Sequence, residues 1–185
     1  MNTMHCSLLS LGCAFGFAPP ENQAKFTALR ALKIAQRRLR PEVRSKLLSI
    51  ASSRTDATLE PVAWRFAFLD PATSGNFRIV TVAAKTSSEH PDTVEAFSAS
   101  KIEKVGSLHP IVQTKLLVDS DQTLEQARGA AKLRGVLAAE YRLIQQKSSA
   151  EPFWIVHFYA EGEHPFAHAR VGAKTGAVEL QCEKN

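Results

Sequence analysis

The sequence predicts an α+β fold: a tandem repeat of helix, break and helix followed by a small antiparallel sheet, with the helices packed on one sheet face. Three observations carry this expectation. The hydrophobic period changes along the chain from steps of three and four to steps of two, and then does so a second time. The pair Glu-Pro followed by a tryptophan occurs twice, at Glu60-Pro61…Trp64 and Glu151-Pro152…Trp154, which puts the tryptophans 90 residues apart. The words "AAKTSSE" (83–89) and "GAKTGAV" (172–178) follow them, with Lys85 and Lys174 separated by 89 residues. Short matches arise by chance; matching offsets with a matching element order argue for duplication. The expected units are 22–106 and 107–185, preceded by residues 1–21 as a signal peptide or an apolar arm.

The elements follow in order. The apolar run Cys6–Ala18 is 13 residues long, too short for a bilayer-spanning helix but suited to a signal-peptide core. It lacks a preceding Lys or Arg, and Pro19 follows Ala18. Export would make the protein extracytoplasmic; if the run is an arm packed on the domain, the protein is cytoplasmic. After Pro19-Pro20, Leu29, Leu32, Ala35 and Leu39 form a helical stripe. Pro41 interrupts it and suits the first turn of a new helix. Val43, Leu47, Leu48 and Ile50 continue an apolar face, so this second helix is expected to run to about Ser52. Trp64, Phe66 and Phe68 then alternate with Arg65, Ala67 and Leu69, as a half-buried strand does. Asp70-Pro71 and Ser74-Gly75-Asn76 supply turn chemistry, and 77–84 reads as the return strand. Further strands are expected over 93–100 and 111–118.

The second pass begins at "VDSDQTLEQA" (118–127), where Asp119 can cap a helix and Gln122 stands three residues on. Leu124, Ala127 and Ala131 supply its stripe. Gly135 interrupts it, and 136–146 reads as a second helix. Trp154, Val156 and Phe158 then alternate with Ile155, His157 and Tyr159, 166–174 returns, Thr175-Gly176 turns, and 177–182 closes the unit. The two aromatic strand faces read as core, since the helices carry apolar stripes to cover them.

A helix opened by Asp119, Ser120 and Asp121 with Leu124 and Ala127, then Trp154, then Val171, Ala173, Lys174, Thr175, Gly176 and Val178, resembles the PepSY domain. The likeness spans 118–182 and is degenerate in the first half, where a longer loop replaces the Thr-Gly turn. It implies a helix on an antiparallel sheet of PepSY or cystatin type, a cell-envelope location, and a non-enzymatic binding or peptidase-inhibitory role. By architecture alone, a tandem of helix pair plus sheet is also similar to the β-lactamase inhibitor proteins.

Chemistry is sparse in the sequence. There is no G-x-S-x-G, H-E-x-x-H, P-loop or dinucleotide fingerprint, and no CxxC among the three cysteines. No catalytic residue, cofactor or metal is therefore expected. His164 and His168 would lie about 13 Å apart along a strand, too far to share a zinc. His157 and His168 instead face each other across a hairpin centred on Gly162-Glu163, opposite Trp154, where two polar residues on an exposed face are the ordinary reading.

Charge is uneven. Residues 24–55 hold nine Lys/Arg against Glu42 alone, so this stretch carries 9 − 1 = +8 and the remainder 5 − 8 = −3. Lys33, Arg37, Arg38, Arg40 and Arg44 are the candidate contacts with an acidic protein or peptide partner or an anionic membrane. Nucleic acid is disfavoured, because Phe26 is the lone aromatic in the stretch and no stacking platform accompanies the charges. The rival expectation is a small-molecule binder or enzyme with a pocket between helices and sheet.

Overall fold

A computed structural model describes residues 25–73, 76–84, 92–98, 108–131 and 135–182. Eight strands form a single antiparallel sheet in the order β4-β3-β2-β1-β5-β6-β7-β8. They are β1 (Leu47–Ser52), β2 (Ala63–Leu69), β3 (Phe77–Ala84), β4 (Asp92–Ser98), β5 (Ala138–Ile144), β6 (Phe153–Tyr159), β7 (Ala167–Gly172) and β8 (Val178–Cys182). Three helices accompany them among the described residues: α1 (Ala28–Arg37), α2 (Pro41–Arg44) and α3 (Ser120–Ala131). The expected tandem of helix pairs, each over its own small sheet, is therefore incorrect. One continuous sheet dominates, and neither expected second helix exists as such.

The physical reason for the first error is a β-bulge. The second helix expected to reach Ser52 ends at Arg44, and β1 begins at Leu47. Leu47 pairs with Phe68 and Ile50 with Phe66, so four residues on β1 oppose three on β2. Leu48 is the extra residue. It lets Leu47 and Ile50, three apart, both enter the core, and a strand thereby imitates helical spacing. The second error has a plainer cause. Over 138–144 the buried Ala139, Tyr141 and Leu143 alternate with Glu140 and Arg142. Ala, Glu and Leu are good helix formers, and sheet context overrides that preference. The strand expected over 111–118 is also incorrect: the segment is irregular apart from a 3-10 turn, Gln113–Lys115.

Pro41 stands in the first turn of α2, preceded by an extended Arg40 (φ −64°, ψ 147°), because a residue before proline is pushed out of the helical region. In α1 the buried stripe is Ala28, Ala31, Leu32 and Ala35. Its small side chains let the helix lie close to the sheet. α1 packs on β2, β3 and β4, and α3 on β6, β7 and β8. One core cluster unites both sets, with Trp64, Phe66 and Phe68 beside Trp154, Val156 and Phe158.

The tryptophans also place the helices. Trp64 Nε1 donates to the carbonyl of Phe26 (3.2 Å), just ahead of α1, and Trp154 Nε1 to that of Val118 (3.0 Å), just ahead of α3. Their rings meet edge-on at 6.2 Å, so the helices start nose to nose. There Asp119 Oδ1 accepts the backbone N–H of Ser120 and, at 3.1 Å, that of Leu29, while Ser120 Oγ accepts the N–H of Ala28. One carboxylate thus serves both positive helix ends. Gln122 returns to the Asp119 N–H at 3.1 Å, half of the expected capping box.

The central β1–β5 seam is short, with register pairs Ser49↔Ile144, Ile50↔Leu143 and Ala51↔Arg142. Side-chain hydroxyls extend it: Tyr141 N–H donates to Ser52 Oγ (3.0 Å) and Ala139 N–H to Thr55 Oγ1 (2.8 Å). The apolar run Cys6–Ala18 and the loop 85–91 lie outside the described residues. Among those described, no helix is long and apolar enough to cross a membrane.

Candidate functional site

The helices take one sheet face and leave the other open. Antiparallel register fixes which residues share a row on the open face: Thr81, Arg65, Ala51, Arg142, Ile155, Arg170 and Glu179, from β3 across to β8. Adjacent strands lie about 4.8 Å apart, so successive arginines stand about 10 Å apart with Ala51 or Ile155 between them. Arg170 stacks on Phe153 (3.7 Å from guanidinium carbon to ring centre) and reaches Glu179 at 3.8 Å. Arg65 and Arg142 are exposed, and their side chains make no ion pair or hydrogen bond among the described residues. Arg54 stacks on Tyr159 at 4.0 Å. The Tyr159 hydroxyl donates to Glu140 at 2.7 Å, and its pKa is pushed up to about 12 by burial first and this carboxylate second. Two aromatic rings of this face, Phe153 and Tyr159, are thus lidded by the chain's own arginines.

His157 and His168 are register partners on the same face, opposite Trp154, with ring centres 5.8 Å apart. His168 Nε2 meets Gln181 Oε1 at 2.9 Å. Among the described residues no group of three or more His, Cys, Asp and Glu side chains gathers that could hold a metal ion.

The five basic candidates separate in space. Lys33, Arg37 and Arg44 line a shallow groove of about 510 Å³ at the far end of α1, together with Gln36, Ser45 and Gln113 and no carboxylate. Neutral amides tie its floor: Gln36 Nε2 donates to Gln113 Oε1 (2.8 Å), and Gln113 Nε2 to the Arg44 carbonyl (2.8 Å). Arg38 does not line this groove; it is exposed at the helix C-cap, next along the chain from Arg37. Arg40 has a different occupation. It bridges Glu42 (3.3 Å) and the fully buried Asp70 (2.9 Å).

Asp70 was legible only as a turn residue. Its carboxylate takes Arg40 on one oxygen and Arg78 on the other, each at 2.9 Å. The Arg78 hydrogen bond holds its pKa below the usual aspartate value; burial opposes this, and the Ala72 N–H and Arg40 assist.

A second cavity, about 630 Å³, lies between the start of α1, the flank of α3 and the segment 58–62. Phe26, Leu59, Val62, Leu124 and Tyr141 make its apolar walls, and Glu60, Glu125 and Arg128 its charged rim. Leu59 has φ of 60°, uncommon for a bulky residue. The Tyr141 hydroxyl holds that turn by donating to the Leu59 carbonyl at 2.9 Å. Burial raises its pKa well beyond the ordinary tyrosine range, so it stays a neutral donor and cannot serve as a base near neutrality.

The arginine row could not be read in advance, because Arg142 fell in an expected helix. Arg65 and Arg170 did stand at outward positions of expected strands. Comparison with protein-family models, with curated proteins and with solved structures finds no match to this chain.

Proposed function

We propose that this protein is a non-catalytic binding module that takes an acidic protein segment on its open sheet face. The carrying observation is the row in which Arg65 and Arg142 stand exposed and unpaired among the described residues, flanking Ala51, with Ile155 next in line. Arginine suits carboxylates because its planar fork donates two parallel hydrogen bonds. Small and apolar residues between the guanidinium groups give a partner something dry to pack on. A single-stranded nucleic acid would need open aromatic faces for its bases. Phe153 and Tyr159 are instead 5% and 7% exposed, each beneath an arginine.

The test is an NMR titration with an extended peptide of alternating glutamate and valine. Shifts should concentrate on Ala51, Arg142, Ile155 and His168, and Arg65→Glu with Arg142→Glu should weaken binding at least tenfold. Shifts confined to α1, or stronger binding of an oligothymidine strand on the same face, would reject the reading. The cavity beside Tyr141 supports the rival small-molecule reading, which Leu59 and its positive φ favour, since such strain gathers at ligand sites. Its check is a thermal-shift screen of apolar fragments with Leu124→Trp as the blocked control.

A further inference from the structure

We propose that the C-terminal end of α1, with the adjoining segment 111–117, is a docking surface for an anionic lipid membrane. The groove there is lined by Lys33, Arg37 and Arg44 and by neutral polar groups, with no carboxylate among its walls. The nearby acids are already engaged. Glu42 and Asp70 both pair with Arg40, so Lys33, Arg37 and Arg38 keep their full positive charge facing outward. The side chains of these three make no ion pair or hydrogen bond among the described residues. Positive charge concentrated without counter-charge is what the negative potential of an anionic leaflet attracts.

Apolar exposure separates a membrane from a dissolved anion. Only four large hydrophobic side chains are prominently exposed among the described residues, and two of them, Val112 (43%) and Leu117 (64%), are on this segment. Val112 directly precedes Gln113, whose amide is fixed to the Arg44 carbonyl in the groove floor. A free phosphate would gain nothing from Val112 or Leu117. A bilayer interface takes up such side chains while the basic residues stay among the headgroups. The shallowness of the groove agrees, since a dissolved anion is usually held by surrounding donors.

The surface is distinct from the open sheet face, and the experiment keeps the two apart. Full-length protein is sedimented with phosphatidylcholine vesicles, with and without phosphatidylglycerol, at low and high salt. It should pellet with the anionic vesicles at low salt and be released at high salt, as screening shortens the reach of the charges. Replacing Lys33, Arg37 and Arg38 with Gln should weaken this on the order of a hundredfold. Arg37→Lys with Arg38→Lys should retain it, and Val112→Ser with Leu117→Ser should weaken it about tenfold or more. Circular dichroism confirms that each variant is folded. Wild-type protein that ignores anionic vesicles at low salt would overturn the proposal. So would a triple variant that pellets like wild type, or loss of pelleting on Arg65→Glu with Arg142→Glu. Displacement by glycerol phosphate at a matching headgroup concentration would also overturn it, by assigning the groove to a soluble anion.

Discussion

At the scale of single residues, Asp70 shows how a turn residue becomes an anchor. It is fully buried and tethers Arg40, ahead of α2, to Arg78 on β3. Its folded pKa is depressed, chiefly by the Arg78 hydrogen bond. The stability it contributes is therefore complete above the unfolded value near 3.8 and lost as pH falls through the lower folded value. Wild-type protein should lose urea resistance as pH falls below about 4, and Asp70→Asn should be less stable at neutral pH with a shallower loss on acidification. Equal slopes for the two proteins would remove Asp70 from the account. The same anchor divides the basic candidates: Arg40→Gln should lower the denaturation midpoint, whereas Arg37→Gln should leave it in place. The opposite charges of Arg40 and Asp70 were visible in the sequence. Their meeting was not, because 30 residues and a helix-to-strand passage separate them.

At the scale of elements, the helix starts depend on one side chain. Asp119 accepts N–H groups from both α1 and α3, so Asp119→Ala should cost about 1–2 kcal/mol, at the upper end for a cap. Asp119→Asn should recover most of it, and urea denaturation of the three proteins measures both. The cap of α3 was legible from its spacing, since a capping box is local chemistry. Its second role at α1, 90 residues away, was not. β1 makes the same point. Deleting Leu48 removes the bulge and leaves Leu47 and Ile50 two positions apart, so strict alternation keeps both on the core face. This deletion should therefore keep a cooperative urea transition at a lower midpoint, since only the buried Leu48 side chain is lost, and a lost transition would refute the bulge.

At the scale of the whole molecule, the sheet and core are continuous across the β1–β5 seam. Unfolding should then be a single transition, with tryptophan fluorescence and far-UV circular dichroism tracing the same curve. Trp154, with no exposed surface, should cost about 3–5 kcal/mol on truncation to alanine, and Trp64 a similar amount. Because the rings touch edge-on at 6.2 Å, the double variant should depart from additivity by about 0.5–1.5 kcal/mol. An additive double variant would mean that the two rings do not sense each other in solution.

The sequence by itself determined which faces of β2 and β6 would be apolar, where α3 begins, and where positive charge accumulates. Each of these depends on near neighbours: alternation at period two, a cap three residues from its partner, a run of arginines. Tertiary structure alone decided that Leu47–Ser52 and Ala138–Ile144 are strands. Their helical look came from a bulge in one case and from helix-forming residues in the other. Pairing at the seam decided the matter, because a strand's backbone groups find their partners on another segment. The same pairing drew Arg65, Arg142 and Arg170 into one row. Register between distant strands is set by which faces must be buried together, and no local pattern records it.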